Sequence, residues 1–347
     1  MYYYDNFIPE VILPSMSIHR SELKRFLETE DLDFDEDIEY SVVLRDEDCM
    51  IATGSYSKNI LKCMAVKKEY RGMGLSEKIV SLLMTEKHMA GEEHLFLFTM
   101  KENEVMFKNL GFHKIAQSNQ KTILMETPRV ALKKYMSTLG TYRQQGVVAG
   151  CIVANCNPFT LGHLYLMEYA AKRCDVLYVF IVSEDASVFP AKTRYKLVEQ
   201  GTKHISNIVI LPSGDYIISA ATFPTYFLKD KKQKSLEHAE IDVDLFGSYI
   251  GPSLGISKRF VGSEGSCQLT AQYNHVISKQ LPLKGIKVEE IPRLKAGRED
   301  ISASKVRALI ENQDLKQLRK YVPKTTYDFL TSYEGKEILN QLASRRD

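Results

Sequence analysis

The chain has 347 residues, 44% hydrophobic and 26% charged, with a formal net charge of +2. These proportions belong to a globular protein of about two domains, and so small a net charge excludes a general affinity for nucleic acid or anionic membrane. No stretch approaches the ~18 consecutive apolar residues of a membrane span. The six cysteines (Cys49, Cys63, Cys151, Cys156, Cys174, Cys267) include no CxxC pair and no histidine in zinc spacing, so no protein-held metal is expected. The N-terminus, "MYYYDNFIPEVILPSM", has no basic region followed by an apolar one, and a reduced cytoplasmic enzyme is the expectation.

In chain order, "SIHRSELKRFLETE" has helical spacing, with Ile18, Leu23, Phe26 and Leu27 on its apolar face. The runs "EYSVVLRD", "CMIATGSYS" and "ILKCMAV" predict strands. "GLSEKIVSLLMTEKHM" predicts a helix with Ile79, Leu82, Leu83 and Met89 inward, "EHLFLFTM" a strand, "EVMFKNLGF" a short helix and "KTILMET" a strand. Pro128 breaks this pattern, and a connecting helix and turn follow. The acidic run Glu28–Glu39 places Asp31, Asp33, Asp35 and Asp37 at alternating positions. It carries Glu36 and Val42 where a calcium loop needs Gly and Glu, so it reads as a solvated loop.

From Val147 the grammar becomes a longer alternation. Strands are expected at "GVVAGCIVAN", "VLYVFIVS", "NIVILPS", "KRFVGS" and "IKVEEIP", with helices at 162–174, 192–203 and 267–280. Such alternation predicts a parallel, doubly wound sheet.

The junction after the first of these strands, "NPFTLGH", carries the chemistry. Helix N-termini beyond the carboxyl ends of parallel strands present unpaired amides and a positive dipole end to anions. Gly162 is expected to let the backbone approach a ligand. Thr160 and His163, three residues apart, share one face and are expected to donate to one phosphate oxygen. A second such junction lies near the chain's end, "ISASKVR", with Ser302 as helix cap and Ser304 and Arg307 beside it.

"NPFTLGH" resembles the (T/H)xGH signature of the nucleotidylyltransferase superfamily, and "ISASKVR" its ISxTxxR motif, with Ser304 for the usual Thr. Together with "GDYIISAATFPTYFLK" (214–229) and "FVGSE" they resemble the citrate lyase ligase family. The resemblance implies acetate activation by ATP and Mg²⁺ to acetyl-adenylate. The acceptor it implies is the CoA-like prosthetic thiol on the acyl carrier subunit of citrate lyase. His163, Thr160 and Arg307 are then the expected catalytic residues. Asn157, Gly162, Gly262, Glu264, Ser302, Ser304, Lys192 and Arg194 are expected at ATP, and the 214–229 tract could line an acyl pocket. The lysines of "LKDKKQK" (Lys229, Lys231, Lys232, Lys234) are a candidate dock for an acidic carrier, or a solvated loop.

In the first half, Arg71-x-x-Gly74-x-Ser76 resembles the R/QxxGxG/A loop of GNAT acetyltransferases, and "FKNLGF" their late helix-turn. That resemblance implies a GNAT-like α+β domain over 1–128, with Arg71, Gly72, Gly74 and Ser76 holding a CoA-like group. A linker is expected over 129–146, a Rossmann-like nucleotidylyltransferase domain over 147–325 and a C-terminal helical tail over 326–347. Two other activities fit the motifs: adenylation of a phosphomonoester such as a pantetheine phosphate, and a GNAT acetyltransferase with a nucleotide-sensing domain.

Overall fold

A computed structural model describes residues 7–185, 187–223, 235–265 and 267–343. The chain divides into two compact units, Met1–Tyr135 and Met136–Asp347.

In the first unit, strands β1 (Pro9–Ile12), β2 (Tyr40–Asp46), β3 (Cys49–Ser57), β4 (Ile60–Val66), β5 (Leu95–Met100), β6 (His113–Gln117) and β7 (Thr122–Thr127) form one sheet. Its order is β1-β2-β3-β4-β5-β7-β6. All neighbours are antiparallel except β4 and β5, which run parallel and pair only at Ile60–Phe96 and Leu61–Leu97. Side chains alternate across a strand, so Val42 and Leu44 pack with Ile79, Val80 and Leu83 of the Leu75–Met89 helix. Val43 faces the other way, onto Leu23, Phe26 and Leu27 of the Ser17–Thr29 helix. Gly54 permits the first contact, because a Cβ there would lie 2.4 Å from Ile79 Cγ2. Two expected core residues are instead exposed: Ile18 and Met89 sit in the terminal turns of their helices, at 71% and 72% exposure. Strands β1 and β6 are too short and too polar to be read from alternation.

The second unit holds β8 (Ala149–Ala154), β9 (Val176–Ile181), β10 (Ile208–Pro212), β11 (Ile256–Gly262) and β12 (Lys287–Ile291), all parallel, in the order β10-β9-β8-β11-β12. The sheet is the doubly wound, Rossmann-like one expected. The chain builds outward from β8 in one direction and then restarts on its other side at β11. The β8–β11 pair is therefore the switch point at which open α/β sheets bind ligands. A Ser235–Leu245 helix, not anticipated from the sequence, continues through a π-helical turn into Gly251–Leu254 ahead of β11.

The segment expected as a tail is part of this unit's core. Phe329 and Leu330 of the Lys324–Thr331 helix are buried with Phe159, Leu197 and Val306, because the helix has one apolar face and packs it inward. The expected linker is itself helical over Val130–Gly140, with Leu132 and Leu139 buried. No helix among the described residues is long and apolar enough to cross a membrane.

Candidate active site

At the switch point lies a cavity of about 1160 Å³. The ends of β8 and β11 line it, as do the first turns of the helices Leu161–Ala171, Gln268–Gln280 and Ala303–Glu311. Each helix start contributes positive potential from its unpaired amides. Arg259, Arg293 and Arg307 also line the cavity, the charge of Arg293 being offset by Glu264 in the same lining. The arrangement suits a polyphosphate.

The Thr160–His163 pair is organised more tightly than its spacing alone requires. Thr160 is the N-cap of Leu161–Ala171, and its Oγ1 accepts the His163 backbone N–H at 3.3 Å. The Thr160 backbone N–H donates in return to His163 Nδ1 at 3.1 Å, and Oγ1 lies 2.9 Å from the same nitrogen. A backbone N–H can only donate, so Nδ1 is the acceptor and the neutral ring carries its proton on Nε2. Burial, helped by the positive charge of Arg293, pushes His163 down to about 4. His163 is therefore a neutral Nε2–H donor lining the cavity. Thr160 is 1% exposed, and its hydroxyl fixes the ring rather than standing open beside it.

The two motifs meet directly. Arg307 Nη1 donates to the Asn157 carbonyl at 2.6 Å and Nη2 to Ser304 Oγ at 3.1 Å. Ser302 caps the Ala303–Glu311 helix by accepting the Lys305 N–H at 3.1 Å. Gly162 lines the cavity, but a Cβ on it would meet the Ile301 carbonyl oxygen at 3.1 Å. Its small size thus lets the second motif close against the first, where approach to a ligand was the expected reason. Asn157 Oδ1 accepts the Phe189 N–H at 3.0 Å and ties the loop down.

Gly262 ends β11 at the cavity, with nothing within 4 Å of a Cβ placed there. Glu264 also lines it, but its carboxylate is occupied. Oε2 pairs with Arg293, and Oε1 accepts the Cys267 N–H at 3.0 Å. Arg293 also donates from Nε to the Ser263 carbonyl at 2.7 Å.

Two expected ATP residues are elsewhere. Arg194 is 0% exposed and spends its donors on the carbonyls of Phe189, Asn155, Val182 and Glu184, at 2.6–2.9 Å. It knits the loops after β8 and β9 together and does not line the cavity. Lys192 is exposed and outside the lining. Cys156 does line it, but burial pushes its thiol up to about 12, so it is no nucleophile at neutral pH.

Of the 214–229 tract, residues 214–223 are described and largely buried. The Ile218 N–H and the Thr222 hydroxyl both donate to Asp242, at 2.6 and 2.7 Å, and Ile218 lines the cavity. The remainder of the tract and the candidate docking lysines Lys229, Lys231, Lys232 and Lys234 lie outside the described residues. Arg259 and Arg293 were not picked out from the sequence. The only signal for Arg259 was its place as the second of two adjacent charges, after Lys258, inside β11.

In the first unit, Gly72 (φ 82°) and Gly74 (φ 71°) adopt left-handed conformations that lead into the Leu75–Met89 helix, with Gly74 as its N-cap. Ser76 lies in that helix's first turn. Arg71 donates to the Val66 carbonyl at 3.0 Å and to Glu30 at 2.9 Å.

A doubly wound sheet with a TxGH helix start and an arginine-bearing second helix start at its switch point is the arrangement that the resemblance to the (T/H)xGH nucleotidylyltransferases implies. Residues 149–330 match the family model described as the citrate lyase ligase C-terminal domain. The [citrate [pro-3S]-lyase] ligase of Klebsiella pneumoniae is 39% identical over 90% of this chain and 92% of its own. That of Haemophilus influenzae is 40% identical over 89% of this chain and 94% of its own. The chain belongs to the citrate lyase ligase family and is an enzyme. The solved structure of Escherichia coli ElaA is similar at a TM-score of 0.32 and 14% identity, covering 35% of this chain and 98% of that one.

Proposed function

We propose that the protein is a cytoplasmic enzyme that acetylates the CoA-like prosthetic thiol on the acyl carrier subunit of citrate lyase, at the expense of ATP, and so activates that enzyme. In the first step an acetate oxygen attacks the α-phosphorus, the bond to the bridging oxygen breaks, and pyrophosphate leaves behind acetyl-adenylate. In the second, the carrier thiolate attacks the acetyl carbonyl carbon, the carbonyl–phosphate bond breaks, and AMP departs.

The observation that carries this reading is the neutral His163 Nε2–H, held by Thr160 among helix N-termini and arginines. Charge builds on phosphate oxygens in the first step, and a preorganised donor acts there without having to lose a proton. Arg307, Ser302 and Ser304 would hold the departing phosphates. Among the described residues no group of three or more His, Cys, Asp or Glu could hold a metal. Mg²⁺ therefore fits as an ion carried on the phosphates, offsetting their charge. The Arg71–Ser76 loop would take the phosphates of the CoA-like arm on its helix start.

The test is acetate-dependent exchange of labelled pyrophosphate into ATP. Exchange should require acetate and fall by roughly 10²–10³ in His163→Ala, the usual loss for one preorganised donor. Exchange that ignores acetate but proceeds from an adenylated phosphomonoester would replace this reading with a nucleotidylyltransferase.

A further inference from the structure

Arg259 is the anomaly of the cavity. It sits inside β11, beside Cys151 of β8 in the strand register, and its side chain is 2% exposed. A buried guanidinium ordinarily has its donors satisfied and its charge paired. Among the described residues Arg259 has neither. Nη1 reaches only the Cys151 sulfur among them, a weak acceptor, at 3.3 Å. The guanidinium carbon lies 4.6 Å from the centre of the Phe246 ring, so one face is covered by an aromatic. Nε is buried without an acceptor, and Nη2 donates to no described residue. Nε and Nη2 form the edge of an arginine that binds a carboxylate through two parallel hydrogen bonds.

The surroundings narrow the ligand. Arg259, Val153, Ile218 and Tyr273 line the cavity, and the Phe246 ring covers one face of the guanidinium, so its surroundings are mainly apolar. The Tyr273 hydroxyl is committed to Asp242 at 2.6 Å, and Asp242 also accepts from Ile218 and Thr222. Asp242 is itself wholly buried, and burial raises its carboxyl above the usual carboxylate range, with Arg259 only a small opposing influence and no ion pair between the two. The three hydrogen bonds engage both oxygens of Asp242. A second negative charge on a ligand held at the Nε–Nη2 edge would have to be desolvated against this apolar wall.

We propose that the Nε–Nη2 edge of Arg259 receives the carboxylate of the acid that is activated, and selects a small monocarboxylate. This deepens, and rests on, the acyl-adenylate reading above. It separates the cavity's arginines by role: Arg307 with the polyphosphate, Arg259 with the acid.

The experiment uses the full chain. Acetate and ATP affinities are measured separately by calorimetry, with a non-hydrolysable α,β-methylene ATP analogue present in the acetate titration, alongside the KM for acetate in pyrophosphate exchange. In Arg259→Lys, which keeps the charge but loses the two-pronged edge, the acetate Kd and KM should rise at least tenfold. Affinity for the ATP analogue should change less than threefold. In Arg259→Ala, added guanidinium ion should restore part of the exchange rate. Malonate and succinate should be poor ligands of the wild type. If the lysine variant loses ATP affinity as much as acetate affinity, Arg259 is a phosphate ligand and the assignment falls. It falls equally if acetate binding is unchanged. If the alanine variant does not fold, the lysine variant and the wild-type acid series still decide. A wild type that binds acetate through Arg259 yet exchanges no pyrophosphate would overturn the ligase chemistry and leave this site standing. A wild type that binds no acetate overturns the site.

Discussion

Thr160 and His163 cap one another: the backbone N–H of each donates to the side chain of the other, at 3.1 and 3.3 Å. This is a capping box with His in place of the usual Glu or Gln, and it fixes the imidazole tautomer as well as the helix start. Thr160→Val should remove the hydroxyl's share of the cap, costing about 1 kcal/mol of stability and lowering pyrophosphate exchange by roughly tenfold through a misaligned ring. Thr160→Ser should restore both. Thermal unfolding and exchange rates on the same preparations check this, and a Ser variant as impaired as the Val one would refute the positioning role.

The depressed His163 sets a pH signature. Its folded-state value of about 4 lies below the ordinary 6.5, so between those values the unfolded chain binds more protons. This contribution to stability is complete above pH ~6.5 and is lost as pH falls through that window towards 4. It amounts to on the order of 2 kcal/mol after allowing for the ring's partial exposure. His163→Gln should flatten that part of the stability profile. The wild-type exchange rate should show no ionisation near 6.5 attributable to this ring, which isotope-labelled histidine NMR can follow directly.

Gly162 is a second contact between the two motifs, beside the bond from Arg307 to the Asn157 carbonyl. With only 3.1 Å between a new Cβ and the Ile301 carbonyl oxygen, Gly162→Ala must push the "ISASKVR" segment outward. A cost of about 1–2 kcal/mol is expected, in the range of overpacking. The KM for ATP should rise more than that of Ala303→Gly, which loosens the same helix without the clash. Steady-state kinetics and melting curves separate the two.

Arg194 should behave as a structural residue. Arg194→Met leaves the carbonyls of Asn155, Val182 and Glu184 without their donor. The loss should be at least ~3 kcal/mol, read as a large drop in Tm. The KM for ATP in the folded fraction should be unchanged, and a selective rise in it would place Arg194 at the nucleotide after all.

Arg71→Ala and Gly74→Val test the first unit. The Gly74 backbone at φ 71° strains any β-branched residue, so the loop leading into Leu75–Met89 should reshape. Acetate-dependent exchange should persist in both, while the KM for the acyl carrier protein rises several-fold. Unchanged carrier kinetics would dissociate the loop from the prosthetic arm.

Much of this molecule was decided locally. Strands β3 and β4 follow their apolar runs residue for residue, and β8 to β12 follow theirs to within a few residues. The two phosphate-type junctions announce themselves by turn and cap chemistry, because Thr160, Gly162 and Ser302 act within a few residues of their own position. Contacts between distant segments were not legible. Nothing near Arg194 in the chain reveals that it will be wholly buried, because its acceptors come from loops 5 to 39 residues away. Glu264 looks like a free acid until Arg293, from beyond β12, arrives to pair with it. Arg259 reads as one of two adjacent charges in a strand. Its meaning appears only when β8, the Phe246 turn and the buried Asp242 surround it and leave one edge without an acceptor. Hydrophobic periodicity and capping are short-range and write themselves into the sequence. Burial and electrostatic pairing depend on which segments the fold brings together, and only the tertiary structure supplies them.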